Sequence, residues 1–208
     1  MAFSLLGHAF PFGRLLGRQF ALLIQAAGEL QTLLADPATA GAAAGRVRDL
    51  EQTARLTFRA IGRELGLTRL LPLERADLHA LSLALEETTR ALVAVAARAG
   101  LYGFTAPRPA ASSLAGSLTE MLELAALMLA KLRRGEPILA EVAAVERLTE
   151  ESDSLLLVAL GELYEEEAEA TNPLPLLRWS HLLDRLETAL DGAGRIAGIL
   201  ESLVIKHA

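Results

Sequence analysis

The sequence predicts an all-α protein of six helices, and three observations carry that prediction. Aromatic residues make up only 4% of the 208 positions, and no sustained apolar/polar alternation is bounded by turn residues, so strands have little support. Clusters of proline, glycine and small polar residues divide the chain into tracts. Within the tracts, apolar residues recur at steps of three and four.

The first tract follows the Pro11 region and ends in ADPATAGAAAG, Ala35 to Gly45. The second carries the clearest stripe: Val47, Leu50, Ala54, Phe58, Ile61 and Leu65 step by 3, 4, 4, 3 and 4, which is one buried helix face. LGLTRLLP, Leu65 to Pro72, closes it. The third tract runs to GFTAPRPAASS, Gly103 to Ser113. The fourth holds SLTEMLELAALMLAKL, Ser117 to Leu132, whose apolar residues cover more than one face and so predict self-association, and it stops at RGEP, Arg134 to Pro137. The fifth ends in the acidic run ELYEEEAEA, Glu162 to Ala170, read as a solvated helix end, followed by TNPLP, Thr171 to Pro175.

The sixth tract contains GAGRIAG, Gly192 to Gly198. No strand precedes it, so it is not a phosphate loop; its small residues Ala193, Gly194, Ala197 and Gly198 predict close helix approach instead. Long helices joined by short turns favour antiparallel bundles. An internal repeat is also legible. Aligning DLEQTAR with RLTEESD sets Glu51 against Thr149 at an offset of 98, and LALEETTRAL with DRLETALDGA sets Glu86 against Glu187 at an offset of 101. The chain reads as one domain, 1–208, whose two halves, about 12–104 and 112–208, repeat a three-helix unit.

Composition narrows function. There is no cysteine, which excludes disulfides, thiolate metal sites and a cysteine nucleophile. A net charge of −6 opposes nucleic-acid binding, which needs clustered Lys and Arg. Mean hydropathy is +0.34, yet no stretch offers the roughly 20 uninterrupted apolar residues of a bilayer span, so direct membrane insertion is not expected. MAFSLLGHAFPFGRLL, Met1 to Leu16, lacks a basic start, and a cytoplasmic protein is expected.

Glu74, Arg75, Asp77 and His79 open the third tract, and Trp179, Leu186, Glu187, Asp191, Ala197, Glu201 and Lys206 mark the last. With the order of six helices, these residues resemble the PhoU-like regulators, and within them the accessory proteins of Pit-type inorganic phosphate transporters. The resemblance implies two three-helix bundles side by side and a non-enzymatic cytoplasmic regulator of phosphate uptake, seated at the inner membrane face through its transporter. It also implies metal clusters bound by acidic pairs on neighbouring helices.

A carboxylate pair at i and i+4 points two oxygen donors the same way. The four family positions hold Glu51 with Arg55, Glu86 with Arg90, Thr149 with Asp153, and Glu187 with Asp191. In the first half both aspartates are arginines, each favourably placed after a Glu and able to reach the other helix's Glu if the two helices pair. The second half keeps Asp153, Glu187 and Asp191, with Thr149 as a neutral oxygen and Glu150 close by. These three carboxylates are the candidate ligands for a divalent ion: Mg, Mn or Fe(II) by donor hardness, Zn or Ni by resemblance. An ordinary solvated acidic face is the competing reading, and no cofactor is required. Catalytic residues are not expected. A ferritin-like di-iron enzyme would need Glu-x-x-His pairs, and none of His8, His79, His181 or His207 follows a Glu by three; His79 and His181 read as surface or hydrogen-bonded residues. The expected partners are a Pit-type transporter and further copies of the chain; the alternative is a helical scaffold whose metal sites have decayed.

Overall fold

A computed structural model of the chain describes residues 11–68, 74–166 and 172–207. The N-terminal segment 1–10, part of the Leu65–Pro72 break and the end of the acidic run lie outside them. Among the described residues there are six α-helices and no strand: α1 Pro11–Ala35, α2 Ala40–Leu67, α3 Arg75–Tyr102, α4 Pro109–Arg134, α5 Leu139–Glu166 and α6 Leu174–His207. The first break is shorter than its composition suggests. Asp36 caps a 3-10 turn over Pro37–Thr39 by accepting from the Ala38 amide, and the alanine-rich stretch after it is already helix, as alanine's propensity favours. Gly103 and Gly135 end α3 and α4 in the left-handed conformation, at φ 62° and 71°.

α1 and α2 run in opposite directions, and so do α3 and α6, as their cross-contacts show. Arg46 of α2 meets Glu29 of α1; in α3 and α6, Lys206 meets Asp77 and Arg195 meets Glu87. Within each half the three helices contact one another, and the halves join through α1 with α4 and α3 with α6. This pattern lays α2, α3, α6 and α5 side by side in one layer, with α1 and α4 beneath them.

That placement explains α4. It is the one helix among the described residues long and apolar enough to cross a membrane. Leu114, Leu118, Met121, Leu122, Ala125 and Met128 are instead buried in the shared core, against α1, α5 and α6. The apolar faces of Ser117–Leu132 that suggest self-association are therefore mostly satisfied within the chain.

Polar contacts pin the layers. Gln19, fully buried on α1, donates its amide to the Ser82 carbonyl at 2.9 Å and accepts from the Ser82 hydroxyl at 3.0 Å on α3. At the join between halves Phe104 lies on Trp179 with ring centroids 3.9 Å apart. Arg108 sits over the same indole at 5.5 Å and pairs with Glu166 at 2.7 Å.

Candidate functional site

Of the four family pairs on the α2, α3, α6, α5 layer, Arg55, Arg90, Asp153, Glu187 and Asp191 are exposed, Glu51 and Thr149 are half-buried, and Glu86 of α3 is buried. In each helix the apolar stripe faces the core, so the opposite side holds the charges. The two halves treat these positions differently.

In the first half, Arg55 Nε stands 3.8 Å from Glu51 Oε1, a loose pair, whereas Arg90 Nε donates to Glu86 Oε1 at 2.8 Å. Each arginine serves the Glu of its own helix; among the described residues neither comes within 4.0 Å of the other helix's carboxylate. The expected reach across α2 and α3 does not occur: each arginine turns to the Glu four residues before it on its own helix, closely at Arg90 and loosely at Arg55. The Glu86 side chain is only 4% exposed, and its Oε2 finds no hydrogen-bond partner among the described residues. Arg90 is thus what compensates a buried carboxylate.

In the second half, Asp153, Glu187 and Asp191 are all exposed, and the Thr149 hydroxyl donates to the Val145 carbonyl at 3.0 Å. The Glu187 carboxyl is raised above its ordinary pKa, first by partial desolvation and then by the negative charges of Asp191, Asp184 and Asp153. The three sequence-predicted ligands therefore share one electrostatic neighbourhood. Among the described residues, however, no three His, Cys, Asp or Glu side chains are gathered closely enough to hold a metal ion. The first-half positions do not fit a metal, since a guanidinium occupies the place of a ligand. The second half has suitable hard donors that stand apart.

A groove of about 560 Å³ opens beside Thr149 between α5 and α6, lined by Glu146, Glu150, Gly194, Ala197, Gly198 and Glu201 among others. Gly198 makes room here, since a methyl there would meet nothing within 4 Å, whereas one at Gly194 would reach contact with Thr149 of α5 and Met121 of α4. The glycine that permits close approach is Gly192, where a Cβ would collide with the Thr88 side chain of α3. Periodicity gives no hint of it, since the signal lies in a neighbour on another helix.

Residues behind the resemblance prove largely structural. Lys206 Nζ bonds Asp77 Oδ1 at 2.7 Å and lies 4.0 Å from Glu74, tying the end of α6 to the start of α3. Arg75 donates to the Thr68 carbonyl at 3.0 Å, and exposed His79 lies 6.3 Å from the Phe58 ring.

No protein-family model matches the sequence, and no curated protein matches it. Solved structures do. A PhoU-like protein from Shewanella oneidensis MR-1 superposes with a TM-score of 0.80 at 16% identity, covering 93% of this chain and 99% of that one. A putative PhoU-like phosphate regulatory protein from the same organism gives 0.75 at 17%, covering 94% and 99%. PhoU from Pseudomonas aeruginosa gives 0.80 at 21%, covering 94% and 96%. At these identities the likeness establishes the fold: the chain has the PhoU-like all-α architecture of six helices.

Proposed function

We propose that this chain is a non-enzymatic, cytoplasmic regulator of inorganic phosphate transport, acting by contact with a Pit-type membrane transporter. The observation that carries the reading is the near end-to-end match to a structure described as a putative phosphate regulatory protein, 94% of this chain and 99% of that one. The residues Glu74, Arg75, Asp77, His79, Trp179 and Lys206 support it through their resemblance to the Pit accessory branch. The reading takes the chain as one domain over 1–208 with the repeat at 12–104 and 112–208. In its favour, the contacts among α1, α2 and α3 recur among α4, α5 and α6.

Metal enters this proposal only in the second half: Asp153, Glu187 and Asp191 stand apart, and a divalent ion that drew them together would offset their mutual repulsion. In the first half the Glu–Arg pairs supply fixed positive charge. A di-iron enzyme is disfavoured by the interior: among the described residues the buried acids are Glu86 and Glu141, on different helices and each paired with a base.

The test is isolation of the tagged protein from native membranes solubilised in mild detergent, at low and high phosphate. Recovery of a phosphate permease by mass spectrometry is expected. Soluble protein alone, across detergents and phosphate levels, would overturn the transporter contact.

A further inference from the structure

The break between α3 and α4 does more than turn the chain. With the end of α5 and the start of α6 it forms a cavity of about 470 Å³, walled by Tyr102, Phe104, Arg108, Glu166, Arg178 and Trp179 among others. That volume suits a small organic molecule, and a lone ion would leave most of it unfilled. One wall is aromatic. Phe104 stacks on Trp179, and Tyr102 meets Phe104 edge to face with centroids 6.0 Å apart. Trp179 is buried, whereas Tyr102 and Phe104 are half-buried and leave ring surface to the cavity.

The other wall is cationic. Arg108 lies over the Trp179 ring and donates Nη2 to Glu166 Oε2 at 2.7 Å. Arg178 is exposed and has neither a hydrogen bond nor an ion pair among the described residues. The backbone amides of Thr105 and Ala106, also in the lining, donate to nothing among the described residues. Two guanidinium groups thus stand against one carboxylate here, on a chain of net charge −6. The groove beside Thr149 is the opposite case, lined by Glu146, Glu150 and Glu201 with no base.

Such a lining fits a planar ring that carries an anion: ring surface stacks the ring, and forked guanidinium donors take the oxygens of a phosphate. Glu166 already shows how an anion is held. Its carboxylate sits on Arg108 at the last residue of α5, and its side chain is 59% exposed, so it is free to withdraw into solvent. Once it withdraws, two positive charges face the incoming group, and a phosphate monoester of about −2 at neutral pH balances them. A triphosphate would bring excess charge. We propose that this cavity binds a nucleoside monophosphate, with the base against Tyr102 and Phe104, the phosphate between Arg108 and Arg178, and Glu166 as an internal competitor for the phosphate. Occupancy exchanges a contact between α4 and α5 for one to the ligand.

The proposal is independent of the transporter and metal readings, and its experiment uses the isolated full chain. Trp179 is the single tryptophan and lies in the wall, so its fluorescence reports the site directly. Titration with AMP should change that fluorescence saturably below about 1 mM, and calorimetry should give the same affinity. Adenosine, ribose 5-phosphate and inorganic phosphate each lack part of the recognition and should bind about tenfold or more weakly than AMP. Arg178→Ala should weaken AMP by about tenfold or more with the melting temperature unchanged, because Arg178 holds nothing else in place. Glu166→Gln should tighten AMP by about threefold or more, since the competing anion is gone. A merely structural Glu166 would not raise affinity. The proposal is overturned if calorimetry finds no AMP binding up to about 10 mM, if Arg178→Ala binds as wild type does, or if Glu166→Gln weakens binding. Inorganic phosphate or adenosine binding as tightly as AMP would overturn it too, by removing one wall or the other from the recognition.

Discussion

The α2–α3 pair and the α5–α6 pair occupy equivalent places in one layer, yet they close their charges in opposite ways. In the first, Glu86 is buried and held by Arg90 at 2.8 Å; in the second, Glu187 is exposed among Asp153, Asp184 and Asp191. The backbone arrangement is shared, so it does not require either solution. One half carries its counter-charge covalently, and the other leaves it to solvent, to a cation or to another surface. Two helix pairs of like arrangement thus carry different charges, because the core stripe fixes the helices and the outer side is free to change.

The largest expected effect tests whether packing is as equivalent as the charges are not. Gly192 corresponds to half-buried Ala91 in the first half, but its own Cβ position is occupied by Thr88, which is β-branched and hydrogen-bonded to the Ala84 carbonyl at 2.8 Å. Gly192→Val should destabilise the fold by about 2–3 kcal/mol through overpacking. Gly198→Ala, in open space on the same helix, should instead gain about 0.5–1 kcal/mol from helix propensity. Urea unfolding of both variants checks the signs; equal effects would show that α6 does not approach α3 as closely as described.

Next in size is a direct contrast between equivalent positions. Arg90→Ala strands a carboxylate that is 4% exposed and should cost about 1–3 kcal/mol. Asp191→Ala removes a repelling neighbour of Glu187 and should be neutral or slightly stabilising. Thermal melts at neutral pH read both, and a cost at Asp191 equal to that at Arg90 would erase the distinction between the halves.

Much of this was legible in the sequence, and the exceptions have physical causes. The α2 stripe is recovered: Val47, Ala54, Ile61 and Leu65 are buried, though Leu50 and Phe58 are only half-buried and Thr57 takes a core place. The Glu–Arg pairs are visible because i, i+4 neighbours are fixed by helix geometry alone. What depends on a second helix was not visible. That set includes the burial of α4's extra apolar face, the Gly192–Thr88 contact, the Asp77–Lys206 bond and the groove opened by Gly194 and Gly198. The separation of Asp153, Glu187 and Asp191 belongs there too, since spacing along two helices does not set the distance between them.

A third prediction sharpens the contrast with cations. If a divalent ion binds the second half with Kd of about 1 mM, about 10 mM ion should stabilise the fold by about 1.4 kcal/mol. Mn²⁺ and Mg²⁺ titrations followed by thermal melting should show the gain in wild type and lose it in Asp191→Ala. Retention in Asp191→Ala together with loss in Glu51→Gln would relocate the ion to the half that carries arginines.

The smallest effect concerns Glu187 alone and follows from the direction of its pKa. A carboxyl raised in the folded state binds its proton more tightly there than in the unfolded chain. The folded state is therefore penalised when Glu187 is ionised, fully so above the raised folded pKa. The penalty fades as pH falls through that value and vanishes below the unfolded one, about 4.3. Glu187→Gln should raise the melting temperature at pH 7 by no more than about 1 °C, since the side chain is exposed and solvent screens its neighbours. That gain should shrink towards pH 4 and disappear by about pH 3, where wild type and variant both carry a neutral group. Saturating Mn²⁺ should also abolish it, if the ion sits among the same carboxylates. A gain at pH 7 that persists unchanged into acid would show that the substitution acts through packing, and that repulsion among Asp153, Glu187 and Asp191 contributes nothing to stability.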